Sequence, residues 1–232
     1  MPLYYGYGID MGYYLIALVA LIIGGLAQAY IRSTYRKWSQ VSANVPGTGA
    51  DVARRMLAEA GADGVGITRT PGSLTDHYDP RDNTLHLSDD NYRGASVASV
   101  AVACHEAGHA IQAAQGFGFY RLRTALVPVV NVAQQGWVIV LLFGVFLNMF
   151  GLVKLAIALF GVAVLFQVVT LPVEIDASRR AVAYLSQNGS GLDEKGARSV
   201  LTAAALTYVA AALTSIMQLL YLLGRYGGRG EE

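Results

Sequence analysis

Four long apolar windows constrain this chain more than anything else in it: Tyr13 to Ile31, Leu126 to Leu147, Leu152 to Val173 and Val200 to Leu223. Each is close to the roughly 20 residues that carry a helix across a hydrocarbon core about 30 Å thick. Lipid offers the backbone no hydrogen-bond partners, so such segments must satisfy their own amides as helices. The predicted fold class is therefore a predominantly α-helical polytopic membrane protein with four transmembrane helices. Composition agrees, since 54% hydrophobic residues and a mean hydropathy of +0.41 are too apolar for an ordinary soluble enzyme. The first window is not read as a cleavable signal, because no basic residue precedes it and Arg32, Arg36 and Lys37 follow it directly. It is a retained anchor, and Tyr4, Tyr5, Tyr7, Tyr13 and Tyr14 around its start suit an interfacial aromatic belt.

Basic residues set the expected orientation. Arg32, Arg36, Lys37, Arg54, Arg55, Arg69, Arg81, Arg93, Arg121 and Arg123 lie between the first two spans, and Arg179, Arg180, Lys195 and Arg198 follow the third. Loops rich in Lys and Arg stay on the cytoplasmic side. Residues 32–123 and 174–199 are thus expected in the cytoplasm, and both termini outside, in a multi-pass protein of the cell membrane. The net charge of +1, with no basic stripe, leaves no electrostatic footprint for nucleic acid. A single cysteine, Cys104, excludes an intramolecular disulfide and any paired-cysteine metal site. It reads as small packing filler, and any metal must rest on His and carboxylates.

The long cytoplasmic segment carries the signals of a small α+β insert. Thr48 can cap a helix from about Ala50 to Ala60, with Gly61 as its stop. Val65 to Arg69 has strand character, and Leu74 to Tyr78 and Thr84 to Ser88 flank a turn like a hairpin. Beyond Asn91, a candidate N-cap region, the small and apolar run from Ala95 to Gly116 is predicted to form one long helix.

His105, Glu106, Ala107, Gly108 and His109 spell HExxH in the middle of that helix. At 3.6 residues per turn the two histidines share one face, so their imidazoles can converge on one ion. Glu106, one residue on from the first of them, points aside toward a water in the open coordination position. Zinc in such a site lowers the pKa of water to about 7 and polarises the scissile carbonyl, while the glutamate shuttles the proton. Chance would produce the fixed positions of this motif on the order of 0.002 times in a chain of this composition, so a coincidental pair of helix histidines is the weaker reading. The flanking Val97, Ala98, Val100, Ala101, Val102, Ala103, Ala110 and Ile111 make the helix apolar nearly all round and hence buried. Ionisable groups buried there need partners, and a metal supplies one.

A catalytic zinc takes three protein ligands. The third is expected where the third span meets the cytoplasm, at Glu174 or Asp176, because two crossings after HExxH return the chain to the same side. These carboxylates are about 200° apart around a helix, so only one can face the ion. Helical geometry does not choose between them.

HEAGHAIQ at 105–112, LTDHYDP at 74–80, TGADVARRML at 48–57 and VEIDASRRA at 173–181 together resemble the YugP-like membrane zinc metallopeptidases of the neutral zinc metallopeptidase family. The resemblance runs over nearly the whole chain. It implies one membrane metallopeptidase domain over residues 1–232, with His105 and His109 as zinc ligands, Glu106 as general base and Glu174 as third ligand. One zinc per chain is expected, with polypeptide substrates in or beside the bilayer. More distantly the chain looks like HtpX-type and CAAX-type proteases, which carry an Asp one turn after the ligand Glu; Ser178 stands there in this chain. Ser178 and Asp176 are the candidates for supporting a ligand from behind.

His77 and Tyr78 are candidate oxyanion or substrate donors, against a reading of the same segment as a capped surface hairpin. His86, alternating with Leu85 and Leu87, reads as exposed strand surface. Gly24, Gly25, Gly144, Gly151 and Gly161 permit close helix packing within a chain or between copies in a homo-oligomer. Two other functions compete. A site-2-type intramembrane protease would place a ligand in an Asp-Gly motif after HExxH, whereas Asp63-Gly64 precedes it. A zinc-structured scaffold would present the insert to partners, but would have no use for Glu106 as a base.

Overall fold

The computed structural model describes residues 11–226; Tyr4, Tyr5, Tyr7 and the tail beyond Tyr226 lie outside the described residues. Among the described residues, four helices are long and apolar enough to cross a membrane: α1 (Met11–Ser39), α5 (Gly118–Phe146), α6 (Phe150–Asn188) and α7 (Gly191–Tyr226). α1, α6 and α7 each contain one of the four windows and run beyond it, while α5 starts before its window and ends one residue short of Leu147. Between α1 and α5 lie α2 (Gly49–Glu59), strands β1 (Gly66–Thr70), β2 (His77–Asp79) and β3 (Thr84–Ser88), then α3 (Asp89–Arg93) and α4 (Val97–Ala114). The protein is a predominantly helical polytopic membrane protein with a small three-stranded insert.

The spanning helices keep large apolar side chains on their outer faces, among them Leu15, Leu21 and Leu26 of α1 and Leu142 and Phe146 of α5. Such continuous apolar surface is intolerable in water and natural in lipid. α5 and α6 pack as an antiparallel pair, α6 packs on α7, and α7 on α1. Of the five glycines singled out in the spans, only Gly144 is needed for a close approach: a Cβ there would lie 2.8 Å from the Val153 amide nitrogen, at the turn into α6. Gly24, Gly25, Gly151 and Gly161 face open space.

At the other end of the bundle α4 is wrapped by α2, α6 and α7. Val100, Ala101, Ala103, Cys104, Ala107 and Ala110 are buried together with Val52, Ala53, Leu85, Leu87, Ala181 and Leu185. Small residues on all sides of α4 let its neighbours approach, which explains its sequence. α4 is not among the helices apolar enough to span. Its ends are fixed by a Ser96 side-chain cap on the Ser99 amide and by a C-terminal turn at Gln115. The N-terminal cap of α2 is Thr48, completed into a capping box by Asp51. Thr48 hydrogen bonds hold the Asp51 carboxyl below its ordinary range.

The sheet has the order β1-β3-β2, with β1 parallel and β2 antiparallel to β3. The hairpin is shorter than the sequence implies, because β2 starts only at His77. Leu74 is left-handed at φ 56°, incompatible with a strand, and Asp76 uses its carboxylate in place of the ladder, accepting from the Ser88 amide at 2.7 Å. Asn91 is not an N-cap. It is fully buried in α3, donates to Asp76 at 2.9 Å and accepts from the Tyr35 hydroxyl at 2.7 Å, tying the insert to α1. His86 is half-buried rather than exposed, stacked on His77 and bonded to Asp82.

α6 is the element that carries the bundle to the site. Its 39 residues span about 58 Å at 1.5 Å per residue, well beyond a hydrocarbon core. Pro172 lies inside it without ending it. The segment after the third window is therefore the same helix, continued out of the bundle alongside α4.

Candidate metal centre

α4 and the far half of α6 meet along a stripe of Glu174, Ala177, Ala181 and Leu185, spaced to lie on one helix face and all buried. At the closest point Gly108 sits against Ala177. A Cβ on Gly108 would lie 2.8 Å from the Ala177 carbonyl oxygen and 3.1 Å from its Cα. The glycine of HEAGH is thus what lets the two backbones touch, with His105 and His109 on one helix and Glu174 on the other.

His105, His109 and Glu174 converge there, each offering one ligand atom, and these atoms all lie within 4.8 Å of one another. Glu174 Oε2 is 3.2 Å from His105 Nε2 and 3.7 Å from His109 Nε2. The imidazoles stand edge to face, with ring centroids 4.7 Å apart. Glu174 Oε2 is buried and has no hydrogen-bond partner among the described residues. An orphaned buried carboxylate oxygen is costly, and a cation among these donors would satisfy it. Two imidazoles and a carboxylate are a donor set that suits zinc with an open position. The residues present fit the ion.

Each histidine is held from behind. Gln112, fully buried, donates from Nε2 to the Val173 carbonyl and to Asp176 Oδ2, both at 2.8 Å. Both partners only accept, so the amide nitrogen must face them, and its Oε1 faces His109 Nδ1 at 3.0 Å. His109 therefore donates from Nδ1 and leaves the Nε2 lone pair toward Glu174. Asp176 is held in turn by Arg180 Nε at 2.6 Å, and Arg180 reaches Gln115 at 2.7 Å. His105 Nδ1 lies 3.2 Å from Ser178 Oγ.

Glu106 is buried beside the ligand cluster and lines a cavity of about 290 Å³ with His105. Burial pushes its carboxyl above the ordinary range, against the pull of His105 and His109. Burial disfavours charge on His109 as well, but the Glu174 and Glu106 carboxylates outweigh it and raise its pKa. The same cavity is lined by Asp76, Leu74, Val102, Leu201 and Tyr208.

Among the residues singled out in the sequence, His105, Glu106, His109 and Glu174 come together, with Asp176 and Ser178 adjoining them. His77 and Tyr78 do not line the cavity. His77 Nδ1 bonds the Thr75 carbonyl and Tyr78 donates to Asn83 at 2.8 Å. Gln112, Arg180 and Tyr208 escaped the sequence reading. Gln112 carried a usable signal, lying one turn after His109 within HEAGHAIQ. Tyr208 carried none, since only the packing of α7 on α4 brings it near.

The sequence matches the family described as "Putative neutral zinc metallopeptidase" over residues 13–226. It is 41% identical over 220 residues to "Putative membrane protease YugP" of Bacillus subtilis (strain 168), covering 94% of this chain and 98% of that protein. No solved structure matches it.

Proposed function

Since the chain belongs to the family described as putative neutral zinc metallopeptidases, we propose that it hydrolyses internal peptide bonds of polypeptides in or beside the membrane. His105, His109 and Glu174 hold one zinc per chain, and Glu106 is the general base. The observation that carries this reading is the buried cluster of two histidines and an unsatisfied Glu174 oxygen, with Glu106 beside it on a cavity. A structural site would close its coordination and leave a buried base without a purpose.

When bound, zinc supplies Lewis acidity, activating water near neutral pH and polarising the scissile carbonyl. Glu106 accepts a proton from the attacking water as its oxygen bonds to the carbonyl carbon and the C=O π pair moves onto oxygen. When that pair returns, the C–N bond breaks and Glu106 delivers the proton to the leaving amine. Water and peptide thus become a carboxylic acid and an amine, with Glu106 restored. Val102, Val200, Leu201 and Ala204 make the wall of the cavity apolar, which limits competing solvent. Gln112 and Ser178 fix the rings of His109 and His105.

The clustering of basic residues in 32–123 and 174–199 supports a cytoplasmic active site with both termini outside. The cavity draws its lining from α1 (Gln28, Ile31) and α7 (Ala204, Thr207) as well as α4. A substrate segment close to the membrane surface can therefore reach Glu106 without first being extracted far from it.

The ligand assignment is tested by zinc content in two variants of the same helix. Glu174→Gln replaces an anionic donor with a weaker neutral one, so zinc and activity fall together and recover in part with added metal. Asp176→Asn retains an acceptor for Gln112 and keeps its zinc. If Asp176→Asn loses the metal and Glu174→Gln holds it, the assignment is wrong.

A further inference from the structure

Hydrolysis through a tetrahedral intermediate needs a donor for the carbonyl oxygen as negative charge gathers on it. The cavity at Glu106 narrows the choice. Besides His105 and Glu106, its polar lining residues are Gln28, Tyr35, Asp76, Thr207 and Tyr208. The Tyr35 hydroxyl is committed to Asn91 at 2.7 Å and the Thr207 hydroxyl to the Ala204 carbonyl at 2.6 Å. Asp76 can only accept, and Ser88 and Asn91 occupy both of its oxygens. Of the two that remain, Gln28 also borders a second cavity, with Arg32 and Ser39, away from Glu106, whereas Tyr208 lines the cavity that holds Glu106 and His105.

We propose that Tyr208 is a catalytic residue, its phenol donating a hydrogen bond to the substrate carbonyl oxygen as that oxygen becomes anionic. The proposal rests on the peptidase reading above and adds a residue from a different helix to it. A phenol is a good candidate for this work. It stays protonated at neutral pH, its ordinary pKa being about 10, and it donates more strongly to an anion than to a neutral carbonyl. A donor on the wall of the cavity lined by His105 and Glu106 faces the space that a substrate carbonyl would enter. α6 thus supplies the carboxylate ligand and α7 the donor, while α4 holds the histidines and the base.

The test uses the full-length, zinc-loaded protein and Tyr208→Phe, which removes a single oxygen. The expected result is a kcat lower by about 10²- to 10³-fold, KM within about twofold and unchanged zinc content. The affinity for a phosphonate peptide, a tetrahedral anionic mimic of the intermediate, measured by calorimetry, should fall by a similar factor, while affinity for the product peptides stays the same. Tyr226→Phe, the same substitution at the far end of α7 and outside the cavity, should leave all of these unchanged. A Tyr208→Phe protein with wild-type kcat and phosphonate affinity overturns the assignment. So does one that loses zinc, because Tyr208 would then only position Glu174. Failure of the peptidase reading itself looks different: wild-type protein with zinc bound would cleave nothing and would not bind the phosphonate.

Discussion

Gln112 Oε1 stands 3.0 Å from His109 Nδ1 because both amide hydrogens of Gln112 are taken, by the Val173 carbonyl and by Asp176. One buried side chain thus reads the backbone of α6 and sets the tautomer of a residue on α4. Replacing it with leucine keeps much of the volume but frees the imidazole and strands Asp176 and Val173. Zinc affinity is expected to fall about 10- to 100-fold. Competition against a chromophoric chelator checks this, and an unchanged affinity would show that Gln112 serves packing alone.

Gly108→Ala gives a second test, because propensity and packing predict opposite signs. In a helix interior alanine is favoured over glycine by about 1 kcal/mol. At Gly108 the added Cβ would meet backbone atoms of Ala177, which cannot give way. The helices must part, carrying the histidines away from Glu174. Lower thermal stability and loss of zinc are expected. Gly161→Ala, where nothing lies within 4 Å of the added carbon, should keep both. Equal behaviour of the two variants would contradict the close contact of α4 with α6.

Much of this was legible in the residues, and the limits have physical causes. The spans were readable because a membrane demands long uninterrupted apolar runs, and HExxH because ligand spacing follows the helical repeat. The α2 cap was readable because Thr48 and Asp51 are local partners. What required the fold was every contact set by packing between elements distant in sequence. Glu174 and Asp176 could not be separated by helical angle alone, since both end up serving α4: Glu174 faces the histidines directly, while the longer Gln112 reaches across to Asp176. Leu74 reads as strand by composition, but its left-handed backbone and the Asp76 bonds to Ser88 start the strand later. Tyr208 entered only once α7 was laid against α4.

Opposite ends of α6 provide the topology test. Met149 precedes the helix and is exposed, Gln187 lies near its other end and is exposed, and the native Cys104 is buried. With cysteine placed at each in turn, a membrane-impermeant maleimide applied to intact cells should label Met149→Cys. Gln187→Cys should react only after the cells are opened. Labelling of both from outside would contradict the orientation inferred from the basic residues.

The most direct measurement compares zinc content and peptide hydrolysis in wild type and Glu106→Gln, purified side by side. The substitution preserves shape and leaves His105, His109 and Glu174 intact, but removes the proton acceptor. Both proteins should carry about one zinc per chain, the wild type should cleave an unfolded polypeptide, and the variant should be slower by about 10²- to 10⁴-fold. Equal cleavage by the two, or no cleavage by zinc-loaded wild type, would contradict the account.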